Sequence, residues 1–170
     1  YFVDEDYPGI SWVNEFHLPV FRETEADLTL FHEHMLYLFP VERERAWFLD
    51  WMAFNLQYPG RRSKVTPLHI AKAHGTGRGW VVELMGRLLG QWNCTKTKMV
   101  TLCGEGNGGG FQDYLDKSLF CAIEEVREAD HRYSISDKTR DLLTENHLEV
   151  NVKFGSKKTQ PVFTNFFFMS

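Results

Sequence analysis

Cysteine is scarce in this chain of 170 residues, which carries three, Cys94, Cys103 and Cys121. None stands in a C-x-x-C pair, so the common zinc spacings and a dense disulfide framework are excluded. An odd number set near apolar runs points instead to reduced, buried thiols in a reducing compartment. Positive charge is also short, because 19 Lys and Arg against 23 Asp and Glu leave a net charge of -4. Such a balance gives no global attraction to nucleic acid or an anionic membrane, and any contact with a polyanion has to be local. The sequence has no apolar run long enough to span a bilayer and no signal-peptide pattern. What it has in quantity is aromatic side chains, 15% of residues within a hydrophobic fraction of 43%. That composition indicates one folded domain with a sizeable core rather than disorder.

The chain starts at Tyr1 and stops at Ser170 directly after PVFTNFFFM, which reads as a buried strand. A fragment of something longer is the expectation. Residues 1–21 are irregular, with Pro8-Gly9 and Pro19 as breakers. A helix is expected from near Thr24, with Leu28, Phe31, Met35 and Leu38 as its apolar stripe and Phe39-Pro40 as its stop. A second runs from about Val41 to Gln57 with Trp47, Trp51 and Phe54 along one line, ended by Tyr58-Pro59-Gly60. Arg61, Arg62 and Lys64 then read as a solvated basic linker. These observations divide the chain into an N-terminal lead-in with helices (1–62) and a core (63–170).

From there strands and helices alternate, which predicts an α/β sandwich. A strand near Leu68 to Ala71 leads into a glycine loop and an amphipathic helix bearing Val81, Leu84, Met85 and Leu88 at helical spacing. Further strands are expected at Met99 to Leu102, Leu119 to Ile123 and Val162 to Met169. A short helix is expected near Phe111 to Lys117 and another from Ser136 to about Thr144. Leu148, Val150, Val152 and Phe154 alternate with polar residues, and GSKK offers the turn of a hairpin.

Chemistry concentrates in three places. The first is AHGTGRGW, where Gly75, Gly77 and Gly79 supply a tight turn between a strand and a helix and Arg78 supplies a cation. That order suits a phosphate, since backbone N–H groups turn inward and the helix presents its positive end. Against G-x-x-x-x-G-K-[ST], Lys72 stands at the first glycine, Arg78 at the lysine and Gly79 at the hydroxyl residue. The plain alternative is a glycine turn with Arg78 solvated. The second place is SLFCAIEEV, which sets Glu124 and Glu125 at the C-terminal end of a buried strand, where α/β sheets bind ligands. One acid can hold a magnesium ion through water while its neighbour polarises an attacking water. The third is HLEVNVKFGSKKTQPVF, a hairpin with Lys153 on a strand and Lys157 and Lys158 at the turn, able to offer cations to a phosphate backbone. Lysines that discourage edge pairing are the plain alternative.

Gly104, Gly106 and Gly109 also satisfy G-x-G-x-x-G after MVTLC, with Glu124 downstream as a ribose-binding acid. Only about eight residues separate the last glycine from the next strand, too few for the crossover helix of a dinucleotide-binding unit. His32 and His34, two apart, fall on different faces of a helix and make a poor metal pair. His74 beside the glycine loop reads as a polar loop residue.

Taken in order, these motifs resemble the helicase domain of phage and plasmid primase-helicases, a branch of superfamily 3 helicases within the AAA-type ATPases. SWVNEFHLP and the helices through FLDWMAFNLQYPG resemble the family's lead-in, AHGTGRGWVVELMGRLLG its Walker A segment and LFCAIEE its Walker B. DLLTENHLEVNVKFGSKKTQPVFTNFFFMS resembles the stretch that carries a DNA-contacting hairpin and leads to a sensor strand. The resemblance implies a P-loop NTPase fold and an ATP-dependent replicative DNA helicase with ATP and Mg2+ as cofactors. It implies that Gly75, Thr76, Gly77, Arg78, Gly79 and Trp80 surround the triphosphate, with Arg78 also acting on it, Glu124 holds the metal and Glu125 activates water. Lys153, Lys157 and Lys158 would lie near DNA. It further implies a homo-oligomeric ring, usually a hexamer, a primase-polymerase module in the same longer chain, and a place in the cytoplasm of a bacterial host. The family's sensor asparagine and arginine finger are expected beyond Ser170. A degenerate P-loop module with weak or no hydrolysis, serving oligomerisation or DNA docking, shares all of these motifs. The motor reading requires Glu124 and Glu125 to face the amides around Gly77 across adjacent parallel strands, with room for a magnesium-bound polyphosphate.

Overall fold

The computed structural model describes residues 16–22, 24–71, 75–102, 110–126 and 139–170. Two helices come first, α1 (Thr29–Leu38) and α2 (Glu42–Gln57). Helix α1 begins five residues later than Thr24 for a local reason. The Asp27 carboxylate accepts from the Thr29 amide at 2.9 Å and from its hydroxyl at 2.6 Å. Those bonds satisfy an orphan N–H at the helix start and hold the Asp27 carboxyl below its ordinary pKa. Helix α2 buries Phe48, Trp51, Met52 and Asn55, so of the expected line Trp51 is in the core while Phe54 is half-buried and Trp47 exposed.

The centre is a parallel sheet of four strands, β1 (Leu68–His69), β2 (Cys94–Lys98), β3 (Phe120–Glu124) and β6 (Asn165–Met169). Their order across the sheet is β1-β6-β3-β2. Between β1 and β2 runs α3 (Arg78–Leu89), whose buried side chains Val81, Met85 and Leu89 are spaced by four. Strand β2 precedes the segment expected to be a strand, and Met99–Leu102 forms the short helix α4 instead. An edge strand reading Cys-Thr-Lys-Thr-Lys has no apolar run to announce it, whereas FCAIE and NFFFM, flanked by partners on both sides, are nearly continuous apolar segments.

Alternation along β3 and β6 splits the interior in two. Phe120, Ala122, Phe167 and Met169 pack with Met35, Phe48, Trp51, Val81, Met85 and Leu89 on the face covered by α1, α2 and α3. Cys121, Ile123 and Phe166 pack on the opposite face with Met99, Leu115, Leu142, Val150 and Val162. Residues 139–144 are helical there, beside an antiparallel hairpin of β4 (His147–Val150) and β5 (Lys158–Pro161).

The basic linker is not a solvated loop. Arg62 donates to the carbonyls of Leu142 and Glu145, and Lys64 Nζ donates to that of Thr144 at 3.2 Å. Three carbonyls at a helix C-terminus are thus satisfied by cations, which the helix dipole also favours. The Arg62 guanidinium lies 5.9 Å over the Phe166 ring, and burial lowers its pKa from the ordinary value. From β6, Asn165 holds the same linker, accepting from the Ser63 amide at 2.7 Å and donating to the Arg61 carbonyl at 3.0 Å.

Candidate functional site

All four strands of a parallel sheet end on the same side, and the chain leaving each strand gathers there. After β1 comes the turn that carries Gly75 and Gly77, both in the left-handed region at φ 74° and 82°. Gly77 is the N-cap of α3, no side chain among the described residues caps that helix, and no acid lies in its first turn. Arg78 opens the helix, so a cation sits at the positive end of a dipole with uncapped N–H groups beside it. Its own residues make this point electropositive, which is the condition for holding an anion. A Cβ on Gly75 or Gly79 would meet nothing within 4 Å, so both glycines border open space. At Gly77 a Cβ would lie 2.7 Å from His34 Cε1. Thr76 is half-buried, and Trp80, on the first turn of α3, is partly exposed.

His34, weighed in the sequence only as half of a poor metal pair, lies at this turn. Its ring comes from α1, occupies the space that a Cβ on Gly77 would need and meets Trp80 edge-on at 4.8 Å. Among the described residues its buried Nε2 atom has no hydrogen-bond partner, and neither has the buried Ser170 hydroxyl. Two unpaired buried polar atoms at the glycine turn and at the end of β6 fit a site completed by a polar ligand. Only the fold brings residue 34 to residue 77, so spacing carried no signal for it.

Strand β6 stands between β1 and β3, which corrects the expectation that those two are adjacent. Its end ties the site together. Arg78 Nη1 and the Ala71 amide both donate to the Ser170 carbonyl, the amide at 3.0 Å, and the Val126 amide donates to the Met169 carbonyl at 3.3 Å. The guanidinium of Arg78 is therefore engaged with the sheet.

Glu124 is the last residue of β3 and shares the pleat side of Phe120 and Ala122, the face that α3 covers. Glu125 comes next, in the left-handed region at φ 60°, where a residue with a Cβ is strained by about 1–2 kcal/mol. Both acids are paired with lysines of β2, Glu124 with Lys96 at 3.5 Å and Glu125 with Lys98 at 2.6 Å. These pairs are partly exposed and worth little to stability. Their consequence is chemical, since the carboxylates are held by cations that a competing metal would have to displace.

The hairpin lysines stand on the other face of the sheet, and their positions differ from those expected. Lys153 lies in the turn rather than on a strand, Lys158 begins β5, and the connection spans 151–157. Lys157 pairs with Glu149 at 2.6 Å and Lys158 with Asp116 at 3.8 Å. Lys72, His74, Cys103, Gly104, Gly106 and Gly109 lie outside the described residues, and with them the rival dinucleotide loop. A cavity of about 300 Å³ lined by Thr95, Thr97, Phe111, Asp113 and Tyr114 opens at the β2 edge. Among the described residues no cluster of three or more metal-ligating side chains occurs, and no helix is long and apolar enough to cross a membrane.

Comparison with known proteins gives this arrangement a family. Residues 70–170 match the model of DUF5906, a family of unknown function. The chain belongs to that family. The DUF5906 match begins just after β1 and takes in the glycine turn, both acids and the hairpin, while His34 lies outside it. Among solved structures, the apo structure of the NrS-1 C terminal region is 25% identical over 81% of this chain and 32% of that one, with a TM-score of 0.70. An A form apo structure of the same region is 23% identical over 82% of this chain and 31% of that one, at a TM-score of 0.65. The chain thus spans about a third of the structures it resembles. No curated protein sequence matches it.

Proposed function

We propose that this DUF5906 chain is the nucleotide-binding part of a phage- or mobile-element-type DNA helicase, with a P-loop at Gly75–Trp80. The observation that carries the proposal is that a cation-bearing helix start after β1 and a pair of acids after β3 lie at the same end of the parallel sheet, with β6 between their strands. The amides from Gly75 to Gly79 and the Arg78 guanidinium would hold the phosphates of ATP, and Glu124 would hold Mg2+. Bound there, the ion would neutralise phosphate charge as the terminal phosphoryl group leaves. Glu125 would orient and deprotonate the attacking water, and Trp80 would border the triphosphate. The likeness in fold to the NrS-1 C terminal region supports the architecture on which this assignment stands. DNA, a ring of identical subunits and a primase-polymerase module in a longer chain are the partners we propose with it.

A second reading has its own observation. Arg78 is tied to the Ser170 carbonyl and both acids are tied to lysines, which suits a module that binds nucleotide weakly and serves in assembly or DNA docking. Turnover of ATP by the longer protein separates the two. For the motor, E125Q retains ATP binding and loses turnover by roughly 10²–10⁴-fold. Absence of turnover in the wild type, with E125Q indistinguishable from it, would leave the docking module.

A further inference from the structure

Phe154 is out of place by every local rule. Its ring is 96% exposed, the backbone at φ 64° is one that glycine prefers, and a glycine stands next to it at position 155. The turn is real and closed, with the Gly155 amide donating to the Val152 carbonyl at 2.9 Å. Phe154 holds the third position of that turn, where positive φ ordinarily calls for Gly or Asn. The root of the turn is pinned. The Lys153 amide donates to Asp113 Oδ1 at 2.8 Å, the Asn151 amide to Gln112 Oε1 at 2.8 Å, and the Gln112 amide back to the Asn151 carbonyl at 2.8 Å. A strained residue persists only where its surroundings over-determine it, and such strain collects at sites that present a group to a ligand.

We propose that Phe154 is a stacking platform for an unpaired nucleobase, which makes single-stranded nucleic acid the ligand of this hairpin. The proposal rests on the reading of the chain as a DNA-acting helicase part and moves the principal contact from the lysines to the ring. Its surroundings decide the class of ligand. An aromatic anchor for a protein pocket sits among apolar neighbours that exclude water. Phe154 instead has Lys153 Nζ 5.1 Å above its ring and Gly155, Ser156, Lys157 and Lys158 beside it. Three lysines against one glutamate between 147 and 161 make this a positive tip on a chain of net charge -4. A nucleobase offers a face to stack, and its flanking phosphates offer charge to Lys153. Lys157 and Lys158 already have carboxylate partners and add field rather than specific contact.

The test is fluorescence anisotropy with a labelled oligo-dT strand and a duplex of equal length, using the longer protein. F154A is expected to weaken single-strand binding roughly ten- to hundredfold with little change on duplex, and F154W to restore it. F154G relieves the positive φ, so it is expected to match or exceed wild-type thermal stability while binding as poorly as F154A. K153A is expected to lower the slope of binding against salt by about one ion. Equal single-strand binding by wild type and F154A would overturn the proposal and leave the helicase reading standing. So would full single-strand binding by F154L, since leucine has no ring face on which a base can stack. Failure of the wild type to bind either probe would remove both readings together.

Discussion

At Gly77 two separate costs meet in one atom. A Cβ there has to adopt φ 82° and also overlap the His34 ring at 2.7 Å, whereas at Gly75 the same positive φ faces open space. Gly77→Ala is therefore expected to destabilise the fold by about 2–4 kcal/mol and Gly75→Ala by only about 1 kcal/mol. Urea denaturation of both variants reads this difference directly. His34→Ala in the Gly77→Ala background is expected to recover part of the loss, since the overlap goes while the backbone strain stays. Equal losses at the two glycines would mean that the ring does not press on the turn.

Among the elements, the helix at 139–144 depends on a residue some eighty positions earlier. Arg62 satisfies two of its terminal carbonyls from a half-buried position and lies over Phe166. Arg62→Ala leaves those acceptors unpaired in a partly desolvated place, and the expected loss is about 2–3 kcal/mol, measured as a shift in the urea midpoint. Lys64→Ala, at an exposed site, is expected to cost well under about 1 kcal/mol. Strands β2 and β3 carry a pH dependence as well. Burial pushes the thiols of Cys94 and Cys121 from 9.0 up to about 12. The unfolded chain releases these protons first as pH rises, so the folded state binds more protons than the unfolded state between those values. Stability due to the two thiols is thus complete below about pH 9 and drains away as pH climbs towards 12. Denaturant midpoints at rising alkaline pH should fall, and less steeply in Cys121→Ala, whose remaining thiol is Cys94.

For the molecule as a whole, a ligand at the end of the sheet would join parts that the core already connects. A phosphate at the proposed Gly75–Gly79 loop would sit between α1 and α3, next to the end of β6. Any nucleotide that binds only the folded form stabilises it by mass action, by about 2.7 kcal/mol at a hundredfold excess over its Kd. A rise in Tm with ATP and Mg2+ that disappears in Arg78→Ala is the expected result. A rise that survives unchanged in Arg78→Ala would place the ligand elsewhere.

How much of the fold and site was legible depends on where each cause acts. The apolar runs FCAIE and NFFFM announced buried strands, because a strand covered on both faces needs apolar side chains at every position. The glycine spacing announced the turn, since only residues without a Cβ tolerate positive φ cheaply. Strand β2 was illegible because an edge strand alternates threonine and lysine, which reads as loop. Trp47 and Phe48 are adjacent aromatics, and local spacing does not choose which of them the core takes. The order β1-β6-β3-β2, the pairing of Arg62 with the helix at 139–144 and the approach of His34 to Gly77 all join residues far apart in the chain. The sequence by itself determined which segments fold and which residue types are available for chemistry, because those depend on neighbours within a few positions. Tertiary structure alone decided which of them meet, because that choice belongs to the burial of a shared core.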